Sequence, residues 1–273
     1  LISTDGPSAM GWVDHAKRVH LRLAEASTPT RFVFHHVPKC GGTSVGRALR
    51  KRYLLSQATV KPEASFGAFA LYTGRQDHAA MLVDVAALRE QIMLYHMCDG
   101  VRGLSLHVPF SEPAHARFAQ HYRFITILRD PVARFVSHFR WSHGRSADHA
   151  AISEDLVAFL ETDRARRLGA SYVEYFAGAP MARELGDPAL IARAIANLNT
   201  KFDVVGRLDD LGGFIAQIQK VLGVRLRVGH ENKARARAGC AILSPELEAQ
   251  VRAICAPDIA VWESCFGRGA HDD

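Results

Sequence analysis

The run Tyr122–Leu128 (YRFITIL) constrains the fold more than any other segment of this chain. It is strand-length, rich in β-branched and aromatic residues, and ended abruptly by Arg129-Asp130-Pro131. A strand with so little polar face needs cover on both sides, and in parallel sheets helices supply it. Arg31–Val37 (RFVFHHV), Val101–Val108 (VRGLSLHV) and Phe202–Gly206 (FDVVG) read as further strands. Helical patterns fall between and around them: 11–26, Thr43–Tyr53, Asp84–Gln91, Glu112–Gln120, Pro131–Trp141, a polar helical stretch over 145–200, and Asp209–Leu222. Two closing helices open at Ser244-Pro245-Glu246 and Pro257-Asp258. Residues 55–80 read as irregular, with Gly and Pro punctuation. Strands alternating with helices predict an α/β three-layer fold with a mainly parallel central sheet. Ligands in such folds sit at the carboxyl ends of the strands.

The 273 residues suit a single domain over 1–273, with a leading helical segment at 1–30 and core motifs from about 31 to 266. The formal net charge of +6 suits an anionic ligand: a nucleotide, an acidic sugar or nucleic acid. No RRM, KH or zinc-finger signature and no aromatic stacking platform is present, so nucleic acid is not expected. The five cysteines, an odd number without a C-x-x-C pair, argue against a disulfide framework or zinc site. One C-terminal bridge stays open, and a reducing compartment is expected. No apolar run approaches the roughly 20 residues of a membrane span, and the first thirty residues hold no secretory core. The expected location is cytoplasmic. The alternative is a Golgi luminal domain whose anchor precedes residue 1, which is Leu.

Pro38-Lys39-Cys40-Gly41-Gly42-Thr43-Ser44 joins the first strand to its helix. Paired glycines let the backbone turn and approach a ligand closely. Free N–H groups at the helix start attract an anion, Lys39 adds a charge, and Thr43 and Ser44 add hydroxyls. This is a phosphate site in composition, a P-loop-like nucleotide-binding core. It is not the usual P-loop, G-x-x-x-x-G-K-S/T, because Lys39 precedes both glycines. The bland alternative is a glycine turn beside a solvated lysine.

The second motif follows Tyr122–Leu128. Arg129, at the strand end, can grip a phosphate in bidentate fashion. Ser137 lies about two helical turns further on and adds a hydroxyl. Alternatively, Arg129 and Asp130 pair with each other, or Asp130 caps the helix. Arg134, one turn after Asp130, reads as its structural partner.

The two segments together, V-P-K-x-G-G-T-S after one strand and R-D-P with a later Ser after another, resemble the 5′-phosphosulfate and 3′-phosphate motifs of sulfotransferases. The donor of that family is 3′-phosphoadenosine 5′-phosphosulfate (PAPS), released as adenosine 3′,5′-bisphosphate. The resemblance is closest to the heparan 2-O-sulfotransferase branch (sulfotransferase family 2) and its bacterial members. It implies transfer of a sulfuryl group to an acceptor hydroxyl, the partner being a carbohydrate or glycoconjugate. It also implies a cofactor-binding set of Lys39, Cys40, Gly41, Gly42, Thr43, Ser44, Arg129 and Ser137. The branch carries Thr where this chain has Cys40, a departure at that position. The family has a cofactor-contacting loop where this chain carries the basic run His230–Arg237, which puts Lys233 in the set. A solvated charge run is the alternative there.

Two residues are expected to carry the chemistry. Lys39 is placed to stabilise the leaving oxygen. An acceptor hydroxyl also needs a base, and a histidine suits the task. Of fourteen histidines, His107 ends a predicted strand at the edge shared by both loops. The family motif carries two histidines flanking one residue. Here Ser105 replaces the first, and His107 remains. His35 and His36 alternate across their strand and read as packing residues, and Glu112 is a weaker candidate base. No carboxylate and histidine cluster has metal-ligand spacing, so no metal is expected. Two rival readings remain. A P-loop kinase or hydrolase predicts a lysine after the glycines and a strand-end carboxylate for Mg²⁺. A binding module, or an inactive relative, predicts His107 turned away from the loops.

Overall fold

The structure is a computed structural model, and it describes residues 9–28, 30–75, 77–143, 151–179, 184–229 and 243–267. Five strands form an all-parallel sheet: β1 (Arg31–His35), β2 (Gln57–Val60), β3 (Gly103–Leu106), β4 (Tyr122–Leu128) and β5 (Val204–Arg207), in the order β2-β3-β1-β4-β5. Phe32, Val33, Phe34 and His35 are all fully buried. Successive strand residues point to opposite faces, so β1 is covered on both. The predicted α/β fold with its parallel sheet is therefore the observed one.

Helices α1 (Ala9–Ser27), α2 (Gly42–Arg52), α3 (Pro62–Thr73) and α4 (His78–Cys98) belong to the first half. Helices α5 (Glu112–Phe118), α6 (Pro131–Ser142), α7 (Leu156–Leu160), α8 (Asp163–Gly169), α9 (Ser171–Phe176) and α10 (Pro188–Lys201) follow. Helix α11 (Leu211–Leu222), α12 (Pro245–Ile254) and α13 (Ala256–Phe266) complete the described set. No helix among the described residues is long and apolar enough to cross a membrane.

The stretch 55–80 corrects the sequence reading. It holds β2, all of α3 and the start of α4 rather than irregular chain. Among the described residues strand β2, of four residues, pairs on one side only, and it buries only Val60, so it lacks the apolar run that marks an inner strand. Helix α3 carries the local signals, Pro62 in its first turn and left-handed Gly74 at its end. Its apolar residues are spread around the helix, which hides the 3.6-residue period. Helix α4 likewise runs far beyond the expected Asp84–Gln91.

The register of the sheet places the site. His35 lies opposite Leu106 on one side and Thr126 on the other. The carboxyl ends of β1 and β3 are thus level and β4 runs two residues further, and His36, His107 and Arg129 all emerge at one edge. The strand order reverses about β1, where α/β sheets open a crevice.

Candidate functional site

The loop after β1 is held in a conformation that costs energy. Lys39 has φ 69°, the one positive φ at a non-glycine among the described residues, and Gly41 follows at 73°. The left-handed region disfavours residues with a Cβ by ~1–2 kcal/mol, and such strain concentrates at functional sites. Two glycines are needed for space. A Cβ at Gly41 would lie 2.4 Å from Leu208 Cδ1, and one at Gly42 would lie 2.2 Å from His36 Cδ2. Helix α2 has no side-chain cap and no acidic residue in its first turn. Its N-terminal N–H groups and dipole therefore face the loop without a built-in anion. Thr43 is exposed and Ser44 half-buried beside them.

Arg129 meets this loop. Its guanidinium donates to the Lys39 carbonyl at 3.4 Å. Lys39 Nζ stands 5.2 Å from the Trp141 ring, on the last turn of α6. Asp130 caps α6 by accepting from the Ala133 N–H at 2.7 Å. Ser137 lies half-buried on that helix. The two motifs are thus neighbours in space, 90 residues apart in the chain.

His107 follows β3 directly. Its ring centroid is 4.3 Å from that of His36, and His36 in turn abuts Gly42. His107 therefore borders the loop through His36. Its Nδ1 is buried and has no hydrogen-bond partner among the described residues.

Residues 26–168, just over half of the chain, match the sequence profile of the sulfotransferase family. The chain belongs to that family. No individually curated protein matches it. The matched span of this sulfotransferase contains both loops and His107, and supports sulfuryl transfer as its general activity.

Burial holds three histidines at the end of the sheet below the ordinary imidazole range. Burial pushes His107 down to about 4, with Arg89 adding to the effect. Burial also holds His36 well below its ordinary value, helped by His107 and Arg50. His35, on the opposite sheet face, donates through its Nδ1–H to the Val108 carbonyl at 2.9 Å, and burial pushes it down to about 4. Both histidines of the pair pack as expected, and His36 packs between the loop and His107. Glu112 is tied to Lys201 at 2.5 Å. Among the described residues no group of His, Cys, Asp or Glu is arranged to hold a metal.

The structure accounts for the departure at position 40 and corrects one expectation, the pairing of Arg134. The Cys40 side chain does not face the loop. It is fully buried, 3.5 Å from the Tyr172 hydroxyl, and burial pushes its thiol up to about 11. Arg134 is not the partner of Asp130. It crosses to Asp258 of α13 at 3.4 Å, donates to the Leu168 carbonyl, and lies against the Tyr172 ring. Asp258 also accepts from the Tyr172 N–H at 2.7 Å and the Val173 N–H at 3.3 Å. Burial pushes Asp258 up to about 7, against the opposing pull of Arg134 and these donors. Tyr172 has no local motif and Asp258 is marked only as part of a helix opening, so their pairing is not legible in the sequence. Lys233 and the basic run His230–Arg237 lie outside the described residues.

Proposed function

We propose that this sulfotransferase takes its sulfuryl group from PAPS and places it on a hydroxyl of a carbohydrate or glycoconjugate. The donor, when bound, supplies the sulfuryl group and departs as adenosine 3′,5′-bisphosphate. The Lys39–Ser44 loop would hold the 5′ side through Lys39, the hydroxyls of Thr43 and Ser44, and the N–H groups that open α2. Cys40, Gly41 and Gly42 contribute backbone. Arg129 and Ser137 would hold the 3′-phosphate, and Lys233 is proposed to contact the nucleotide from its loop. Lys39 would counter charge that develops on the leaving oxygen. His107, neutral and with an unpaired Nδ1, would take the acceptor proton.

One observation carries this reading: the parallel strands β1, β3 and β4 end at one edge of the sheet, so a strained glycine loop, an arginine and a neutral histidine share it. The test is calorimetric binding of adenosine 3′,5′-bisphosphate against ATP with Mg²⁺. Micromolar binding, about 8 kcal/mol, is readily measured. Tight bisphosphate binding that is lost in Arg129→Ala supports the donor assignment, and preference for ATP overturns it. His107→Ala should abolish turnover and keep nucleotide binding. Turnover at the wild-type rate in that variant would remove His107 from the chemistry.

A further inference from the structure

The two loops are joined beneath the site by one buried hydroxyl. Tyr172, on α9, is fully buried. Its hydroxyl accepts the Arg129 N–H at 3.0 Å, donates to the Arg129 carbonyl, and lies 3.5 Å from Cys40 Sγ. Arg129 stands past both ladders of β4, that with β1 ending at Thr126 opposite His35 and that with β5 at Leu128 opposite Arg207. Its N–H is met by Tyr172 instead of by a strand. The same tyrosine is fixed from behind. Its own N–H donates to Asp258, and Asp258 pairs with Arg134 on α6, the helix that bears Ser137. Tyr172 and Asp258 both lie beyond the span 26–168 that matches the family.

Resting on the nucleotide reading above, we infer that Tyr172 is a positioning residue that pins the Arg129 backbone against the Cys40 loop and so sets the grip on the nucleotide 3′-phosphate. A buried hydroxyl that both accepts from and donates to one residue fixes that residue's direction more tightly than a single bond. A displacement of the guanidinium by a fraction of an ångström would loosen a bidentate contact to a phosphate, while the conformation of the loop after β1 is set mainly by its own glycines.

The experiment compares adenosine 3′,5′-bisphosphate with adenosine 5′-monophosphate by calorimetry, in wild type and in Tyr172→Phe. Their affinity ratio isolates the contribution of the 3′-phosphate. In Tyr172→Phe that ratio should fall ~10-fold, while 5′-monophosphate affinity stays within about two-fold of wild type, since one hydrogen bond to a charged site is at stake. A merely structural role would weaken both ligands together and leave the ratio unchanged, which would overturn the inference. If wild type fails to bind the bisphosphate, the nucleotide reading falls and this inference with it. If wild type binds and the variant's ratio is unchanged, only the inference falls. Hydrogen exchange on wild type gives a check independent of the variant's folding. The Arg129 amide should be protected, and exchange at the rate of an open loop would refute the bridge.

Discussion

Gly42→Ala probes the contact on which the site depends, that between the loop and His36. A Cβ at position 42 would lie 2.2 Å from His36 Cδ2 and 2.5 Å from Nε2. Ordinary carbon contacts optimise at ~3.5–4.0 Å, so the ring would have to retreat by more than about 1 Å. It has little room. His36 is 8% exposed, its ring lies nearly parallel to Phe34 at 5.8 Å, and the His107 ring is 4.3 Å away. Forcing extra volume into such a packed site costs about 1–3 kcal/mol. For a chain of this size that corresponds to a fall of roughly 2–6 °C in melting temperature. A thermal melt followed by circular dichroism measures it. Gly67→Ala is the control. A Cβ there meets nothing within 4 Å, and the residue lies inside α3, so the change should stabilise by up to about 1 kcal/mol. In Gly42→Ala/His36→Ala the penalty at position 42 should vanish, leaving only the cost of removing the ring. A Gly42→Ala protein that melts within about 1 °C of wild type would refute the packing argument.

Removing the carboxylate in Asp258→Ala strands the buried Arg134 guanidinium and should cost about 3–5 kcal/mol, read from the urea midpoint. Lys39→Gly and Lys39→Ala should both lose transfer, but the glycine variant should be the more stable by ~1 kcal/mol, because only alanine pays for the left-handed backbone. Equal stabilities would show that the loop relaxes. Acid should destabilise the fold between pH 6.5 and 4. His35 and His107 are lowered from 6.5 to about 4 and His36 lies well below its ordinary value, so the unfolded chain binds more protons there. Their contribution is complete above 6.5 and is lost as pH falls through 4. Asp258, raised from 3.8 to about 7, acts with the opposite sign over nearly the same window, but it is one group against three. A urea midpoint that rises on acidification would reverse the argument.

The sequence by itself determined the elements whose causes are local. Tyr122–Leu128 was legible as a strand to the residue, because a nearly continuous apolar run bounded by Arg-Asp-Pro leaves no other reading. Helix α6, opened by Pro131, and the glycine loop before α2 were legible for the same reason, as turn, cap and proline chemistry act over a few residues. The motifs pointed to a phosphate site, and their order pointed to the family. Residues 57–73 were not legible, because an edge strand of four residues and a helix without a clear apolar stripe leave little periodic signal. Tertiary structure alone decided the partners. Cys40 turns from the loop to a tyrosine 132 residues away, Arg134 passes over Asp130 to an aspartate 124 residues away, and His36 becomes the contact between loop and His107. Sequence spacing cannot report such pairs, because they depend on strand register and on where separate helices dock, which are settled only when the whole core packs.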